Sequence, residues 1–179
     1  MKDKLILDKK NVGKTISALC DEIIKRNQER GSLNDLVIIG IRTRGAHLAE
    51  RIVQFINRRA EVEIPLGILD ITLYRDDLTT ISAQPIVRST EISFDLTDKK
   101  VVLVDDVLYT GRTIRSAMDE LIDFGRPKNI QLAVLIDRGH RELPIQADYV
   151  GKIVPTKKKE IIEVRLAETD GKDEVVLKP

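Results

Sequence analysis

Val101-Val102-Leu103-Val104-Asp105-Asp106-Val107-Leu108-Tyr109-Thr110-Gly111-Arg112-Thr113 carries four apolar residues, suited to a buried parallel strand, straight into two adjacent carboxylates. A Thr-Gly-Arg-Thr turn closes the run, and Ile114 to Ile122 then follows with helical period. Ligands of an open α/β sheet sit outside the carboxyl ends of its strands. The order strand, acid pair, turn, helix therefore predicts Asp105, Asp106 and a helix N-terminus at the rim of one crevice. Backbone N–H groups at a helix start bind phosphate, and carboxylates just before them accept hydrogen bonds from sugar hydroxyls. The chemistry this implies is recognition of a ribose 5-phosphate. The plainer alternative is a generic strand-to-helix turn, which would not need the acid pair. A P-loop is excluded, because no G-x-x-x-x-G-K-[ST] run occurs in the chain.

On the N-terminal side of this segment, Leu5-Ile6-Leu7 reads as a short strand and Asp8 as an N-cap. Val12, Ile16, Leu19, Cys20, Ile23 and Ile24 then mark one face of an amphipathic helix ending near Gln28, with Gly31 in the turn. Leu36 to Ile41 reads as a second buried strand. After a turn at Arg42-Thr43-Arg44-Gly45, Ala46 to Ile56 reads as a helix with Leu48, Ile52, Val53 and Ile56 inward. Val62 to Tyr74 is rich in β-branched residues and predicts a strand, bent at Pro65 and Gly67. Arg75 to Gln84 is polar and aperiodic and stops at Pro85, which predicts a mobile functional loop. Ile86 to Phe94 is expected to return as the second arm of a hairpin.

On the C-terminal side, Phe124-Gly125-Arg126-Pro127 closes the motif helix, and Ile130 to Ile136 is a further buried strand leading into Asp137-Arg138-Gly139-His140-Arg141. Tyr149 to Val154, Ile161 to Leu166 and Val175 to Leu177 read as late strands. Strand–helix alternation in the middle of the chain predicts a mainly parallel sheet with helices on both faces.

The 179 residues fit a single domain, 1–179, with room for a proper core. Hydrophobic residues at 42% and charged residues at 33% are an ordinary globular balance, which argues against disorder. With Lys+Arg 30 against Asp+Glu 29, any nucleic-acid surface must be a local patch rather than the whole chain. No stretch approaches the ~20 apolar residues of a membrane span, and the N-terminus lacks an apolar leader. A soluble, cytoplasmic protein is expected, with no membrane or DNA partner. One cysteine, Cys20, excludes an internal disulfide and a multi-Cys zinc site, and its place on the apolar stripe makes it a core residue. His47 and His140 are not spaced as metal ligands.

The hydrophobic–acid–acid–x–x–x–Thr-Gly-x-Thr string resembles the PRPP-binding motif of the type I phosphoribosyltransferases. The chain from about residue 5 to 177 resembles the PyrR family, pyrimidine operon attenuators with uracil phosphoribosyltransferase activity. Gly40 to Gly45, Leu69 to Asp77, the motif itself, Phe124 to Pro127 and Asp137 to Pro144 carry that likeness in the family's order. The resemblance implies an α/β type I phosphoribosyltransferase fold, with a mainly parallel central sheet, a small hood and a flexible loop. It implies that PRPP and uracil yield UMP and pyrophosphate, with Mg2+ held through the substrate rather than by direct protein ligands.

Carried onto this sequence, the resemblance places Asp105 and Asp106 on the ribose hydroxyls. It runs the nucleotide site on through Val107, Leu108 and Tyr109, with Thr110, Gly111, Arg112 and Thr113 around the 5-phosphate. Thr43, Arg44 and Gly45 match the pyrophosphate loop, where a guanidinium suits a diphosphate. Asp105, Asp106 and Arg44 form the catalytic set, with no general base assigned. Asp137 and Arg138 fall where the family's wall over the base lies, and Arg75, Asp76 and Asp77 in its closing loop. Purine-specific relatives carry an acid three residues after the second carboxylate. Tyr109 stands there in this chain, which counts against hypoxanthine or guanine.

The family also regulates pyrimidine operons by binding an mRNA leader, with uridine nucleotides promoting that binding. Arg26, His140, Arg141 and Lys152 match its RNA-contact positions, and Lys157-Lys158-Lys159 either adds to the patch or is a solvated turn. The first helix departs from the family pattern at Ser17, Ala18 and Asp21, and Gln146 replaces an arginine. Fewer cations on one surface weaken phosphate binding. The competing reading is an RNA-binding nucleotide sensor with vestigial catalysis. A homodimer or larger homo-oligomer is implied by the family.

Overall fold

The computed structural model describes residues 3–71 and 90–179. Among these, β1 (Lys4–Leu7) leads into α1 (Lys9–Glu29), β2 (Leu36–Ile41), α2 (Arg44–Ala60), β3 (Leu66–Leu69), β4 (Lys100–Leu108) and α3 (Arg112–Asp123). There follow β5 (Asn129–Asp137), β6 (Tyr149–Ile153), β7 (Ile161–Arg165), α4 (Ala167–Asp170) and β8 (Glu174–Lys178). A five-stranded sheet has the order β3-β2-β4-β5-β6, and every pairing within it is parallel. A three-stranded antiparallel sheet, β1-β8-β7, forms a separate hood. The order reverses at β2 and β4, which is where an α/β sheet opens its ligand crevice.

The period of two along the strands decides which helix covers which face. Leu36, Ile38, Val102 and Val104 pack with the inner stripe of α1 and with Leu48, Ile52 and Ile56 of α2. Val37, Ile39, Val101 and Leu103, one residue out of step, pack with Ile114, Ala117 and Leu121 of α3. Asp8 is the N-cap of α1, accepting a hydrogen bond from Asn11 N at 2.8 Å. Cys20 lies in the first core, and burial, with Asp21 nearby, pushes its thiol up to about 12. A buried polar cluster ties α1 to the sheet: Asn27 donates to Gln131 and Tyr149, and the Tyr149 hydroxyl donates to Gln131 Oε1 at 2.5 Å.

Four boundaries differ from the sequence reading. Helix α2 starts at Arg44, two residues before the expected Ala46, because Gly45 serves close packing rather than a turn. Strand β4 does not stop at Val104 but runs through the acid pair to Leu108, in register with β5 up to Leu108 opposite Asp137. Of the expected 62–74 stretch, of which 62–71 are described, strand β3 takes Leu66–Leu69. Its approach is irregular, since Glu61 is left-handed and Ile64 N is held by Asn57 Oδ1 at 2.9 Å. The hairpin return is reduced, within the described residues, to one antiparallel bridge between Ile68 and Glu91. Residues 86–89 of that arm, and the Arg75–Gln84 loop with Arg75, Asp76 and Asp77, lie outside the described residues. Helix α4 was not anticipated. Among the described residues no helix is long and apolar enough to cross a membrane.

Candidate active site

A cleft of about 610 Å3 opens at the carboxyl end of β4. Its lining is the run 105–114, with Arg138 after β5 and Ile161 and Ile162 of the hood. Both acids of the doublet line it. Asp105 is only 7% exposed and lies against α2: a Cβ on Gly45 would sit 2.5 Å from Val104 O and 3.3 Å from Asp105 Oδ1. Only hydrogen at that position lets the start of α2 approach β4 so closely. The carboxylates are oriented by their own strand. Asp106 N donates to Asp105 Oδ1 at 3.0 Å, and Val107 N donates to Asp106 Oδ1 at 2.8 Å.

The turn that follows is set by Gly111, left-handed at φ 92°, which caps α3. Arg112 N donates to Thr110 Oγ1 at 3.3 Å, and the first intrahelical bond joins Arg115 N to Gly111 O at 2.9 Å. N–H groups in a helix's first turn have no intrahelical acceptor, and here the residues that carry them line the cleft. That is the geometry of an anion cradle. Arg112 pairs with Glu142 at 2.8 Å.

Tyr109 is held from two sides. The Arg138 guanidinium carbon lies 4.1 Å from its ring centroid, and the His140 ring meets it edge-on at 5.9 Å. Arg138 is 6% exposed and donates to Thr156 Oγ1 at 3.1 Å and to Glu160 O at 2.5 Å. The base-wall pair thus divides. Arg138 faces the cleft, while the Asp137 carboxylate accepts from Gly139 N at 2.9 Å and from Arg141.

Thr43 stands at the N-cap position of α2, after a cis Arg42–Thr43 peptide, and Arg44 is the first helical residue. The Arg44 guanidinium forks onto Asp170 of α4, at 3.2 Å through Nε and 2.9 Å through Nη2. That bond raises the arginine's pKa and lowers the carboxylate's, and Asp106 adds to the field on Arg44.

The residues matched to RNA contact are scattered in role. Arg26 donates to Asp148 O at 3.1 Å and pairs with its carboxylate at 3.3 Å. His140 Nε2 bonds with Thr156 O at 2.6 Å. Arg141 is held among backbone carbonyls behind Tyr109. Lys152 and Lys157–Lys159 are exposed.

Sequence reasoning missed Ile161 and Ile162 as cleft residues, and Asp170 as the partner of Arg44. The first pair could be read only as a strand. For Asp170 a signal existed, in the acids Glu168, Asp170 and Asp173 crowded into the short run before β8.

The phosphoribosyl transferase domain model matches residues 6–169. The chain is 57% identical over 172 residues to the bifunctional protein PyrR of Deinococcus radiodurans, covering 96% of this chain and 92% of that protein. It is 58% identical over 172 residues to that of Pelotomaculum thermopropionicum, with 96% and 93% covered. Among solved structures it superposes on the hypoxanthine phosphoribosyltransferase of Trypanosoma cruzi with a TM-score of 0.74 at 19% identity, over 98% of this chain and 97% of that one. A hypoxanthine-guanine phosphoribosyltransferase from Bacillus anthracis gives a TM-score of 0.69 at 17% identity, covering 99% of each chain. At such identities the structural likeness concerns the fold alone.

Proposed function

Since this chain belongs to the PyrR family of phosphoribosyltransferases, we propose that its cleft transfers ribose 5-phosphate from PRPP to N1 of uracil. The bond from C1 of the ribose to the pyrophosphate oxygen breaks, the bond from C1 to N1 forms, and the N1 proton leaves to solvent. Asp105 and Asp106 hold the ribose hydroxyls. The N–H groups and hydroxyls of 110–113 hold the 5-phosphate, with Val107, Leu108 and Tyr109 as the floor between. Thr43, Arg44 and Gly45 meet the pyrophosphate. Arg138, packed on Tyr109, walls the base, with Asp137 shaping that wall from behind.

The observation that carries this reading is that one cleft is lined without a break by 105–114 and closed by Arg138 and β7. Charge at C1 develops as in other glycosyl transfers, so catalysis rests on positioning and electrostatics. The donor chemistry suits a hard cation, because two carboxylates line the cleft. Mg2+ arriving with PRPP would be held by substrate oxygens near Asp105 and Asp106, and would offset the charge of the leaving group. Arg75, Asp76 and Asp77 belong, on the family pattern, to a loop that excludes water.

The reading takes residues 1–179 as one domain working in the cytoplasm as a homodimer or larger. Incubation with PRPP, Mg2+ and each free base in turn tests it. Uracil should give UMP and pyrophosphate. Product from hypoxanthine or guanine in preference to uracil, or from no base, would overturn it.

The relatives are named as bifunctional, and the exposed Lys152 and Lys157–Lys159 favour a second activity toward RNA. A pyrimidine-operon leader hairpin, titrated with and without UMP at several salt concentrations, tests that. Binding that is absent at low salt would refute it.

A further inference from the structure

We propose that Arg141 is a positioning residue for the nucleotide cleft, tying the phosphate turn to the base wall. Its side chain is 23% exposed, and its nitrogens face inward. Nη1 donates to Tyr109 O at 2.9 Å and to Gly139 O at 3.2 Å, with Leu108 O at 3.5 Å. Nε donates to Ile145 O at 3.0 Å, and Nη2 pairs with the Asp137 carboxylate. One guanidinium therefore bridges the end of β4 and the Tyr109 that follows it to both ends of the 137–145 segment.

Backbone bonds run alongside it. Glu142 N and Leu143 N donate to Thr110 O at 3.0 and 3.2 Å, and Arg138 N donates to Leu108 O at 3.1 Å. Tyr109 and Thr110 stand directly before Gly111, so what fixes their carbonyls fixes the turn that receives the phosphate. Asp137 and Gly139 flank Arg138, the side chain against the cleft. The two halves of the site, phosphate and base, are held in register from behind by Arg141.

A lysine cannot replace it, because one ammonium lacks the planar fork that reaches acceptors on two sides at once. The position also matches a family RNA contact, but these bonds direct Arg141 at the cleft's frame. The inference rests on the nucleotide reading above, and its test separates the two.

Arg141→Lys is measured by calorimetry against UMP and, separately, against pyrophosphate. Wild-type protein that fails to bind UMP refutes the nucleotide reading itself. If wild type binds, the variant should bind UMP at least about tenfold more weakly, the loss of one charge-assisted bond, while pyrophosphate affinity stays within about twofold. Unchanged UMP affinity overturns the proposal. Parallel loss of both ligands also overturns it, since that is general disruption. Loss of RNA binding with UMP affinity intact would place Arg141 on an RNA surface instead. Should the variant not fold, amide exchange on wild type decides. Residues 108–111 and 138–145 must slow together when UMP is added, and independent behaviour of the two segments refutes the tie.

Discussion

Replacing a glycine by alanine should have opposite effects at two places in this chain, and the difference follows from what each new methyl meets. At Gly45 the Cβ would stand 2.5 Å from Val104 O and 3.2 Å from Asp105 Cα, both on the central strand. Neither is the end of a flexible side chain, so α2 and β4 must separate. Overpacking of this kind costs about 1–3 kcal/mol. At about 2–4 °C per kcal/mol for a chain of this size, Tm should fall by roughly 2–12 °C. The same displacement moves Asp105, whose Oδ1 would be 3.3 Å from the new carbon. Misplacement by about 1 Å can cost roughly a hundredfold in rate, so UMP formation should fall by about ten- to a hundredfold. Gly13 lies exposed inside α1 with nothing within 4 Å of its Cβ position. There alanine gains helix propensity and loses unfolded-state entropy, worth about 0.4–1 kcal/mol, so Tm should rise by roughly 1–4 °C. Differential scanning calorimetry and the PRPP-dependent assay read both variants. A G45A protein with unchanged Tm and full activity would refute the claim that this contact sets the acid doublet.

Asp106→Asn should lower kcat/KM for PRPP by about ten- to 150-fold, the worth of one hydrogen bond to a charged group at about 1.5–3 kcal/mol, with Tm nearly unchanged; full activity would remove Asp106 from the ribose. Tyr149→Phe leaves Asn27 Nδ2 and Gln131 Oε1 without the hydroxyl they share. Both atoms keep each other, and Nδ2 keeps Ile23 O, so chemical denaturation should show about 0.5–1.5 kcal/mol lost, and no loss would mean that the cluster rearranges. Asp170, Glu168 and Asp173 are held below their ordinary values of 3.8, 4.5 and 3.8 by hydrogen bonds from Arg44 and Arg51. A folded-state pKa below the unfolded one gives stability that is complete above the ordinary value and is lost as pH falls through the lowered one. Urea midpoints should therefore drop below about pH 4.5, less steeply in Asp170→Asn; identical slopes would mean that the Arg44–Asp170 pair contributes nothing.

The fold was legible where burial enforces a period. The stripe Val12 to Ile24 and the apolar strand runs located α1, β2, β4 and β5, because those residues have no stable place outside a core. Boundaries failed where backbone geometry, not side-chain polarity, sets the limit. Gly45 looks like a turn residue in sequence, yet its lack of Cβ serves a contact with β4 that is distant in the chain. Asp105 and Asp106 look like the end of a strand, yet β5 continues to pair with Asp105 and, beyond the doublet, with Val107 and Leu108. The strand–turn–helix frame around the acid doublet was legible, since strand, acids, glycine and helix are contiguous. The bonding partners of Arg44, Asp137 and Arg141 were not. A charged side chain in a string shows its charge but not its partner, and those partners are carboxylates and carbonyls supplied by other elements.

The hood bears on the site through the same logic. Helix α2 carries Arg44 and Arg51 on one side, two turns apart. The short run between β7 and β8 returns Glu168, Asp170 and Asp173 to meet them, at 2.6, 2.9 and 2.8 Å. Exposed ion pairs contribute little singly, but these are forked and only partly exposed, and Asp170 and Asp173 each also accept a backbone N–H. Such pairs fix geometry even where their net free energy is small. What they fix is the distance between the start of α2, where the matched pyrophosphate loop lies, and β7, which lends Ile161 and Ile162 to the cleft. A hood joined only by apolar contact could slide across α2. One clamped by oriented guanidinium–carboxylate pairs moves with the helix or not at all, so a displacement of the hood has to be felt at Arg44.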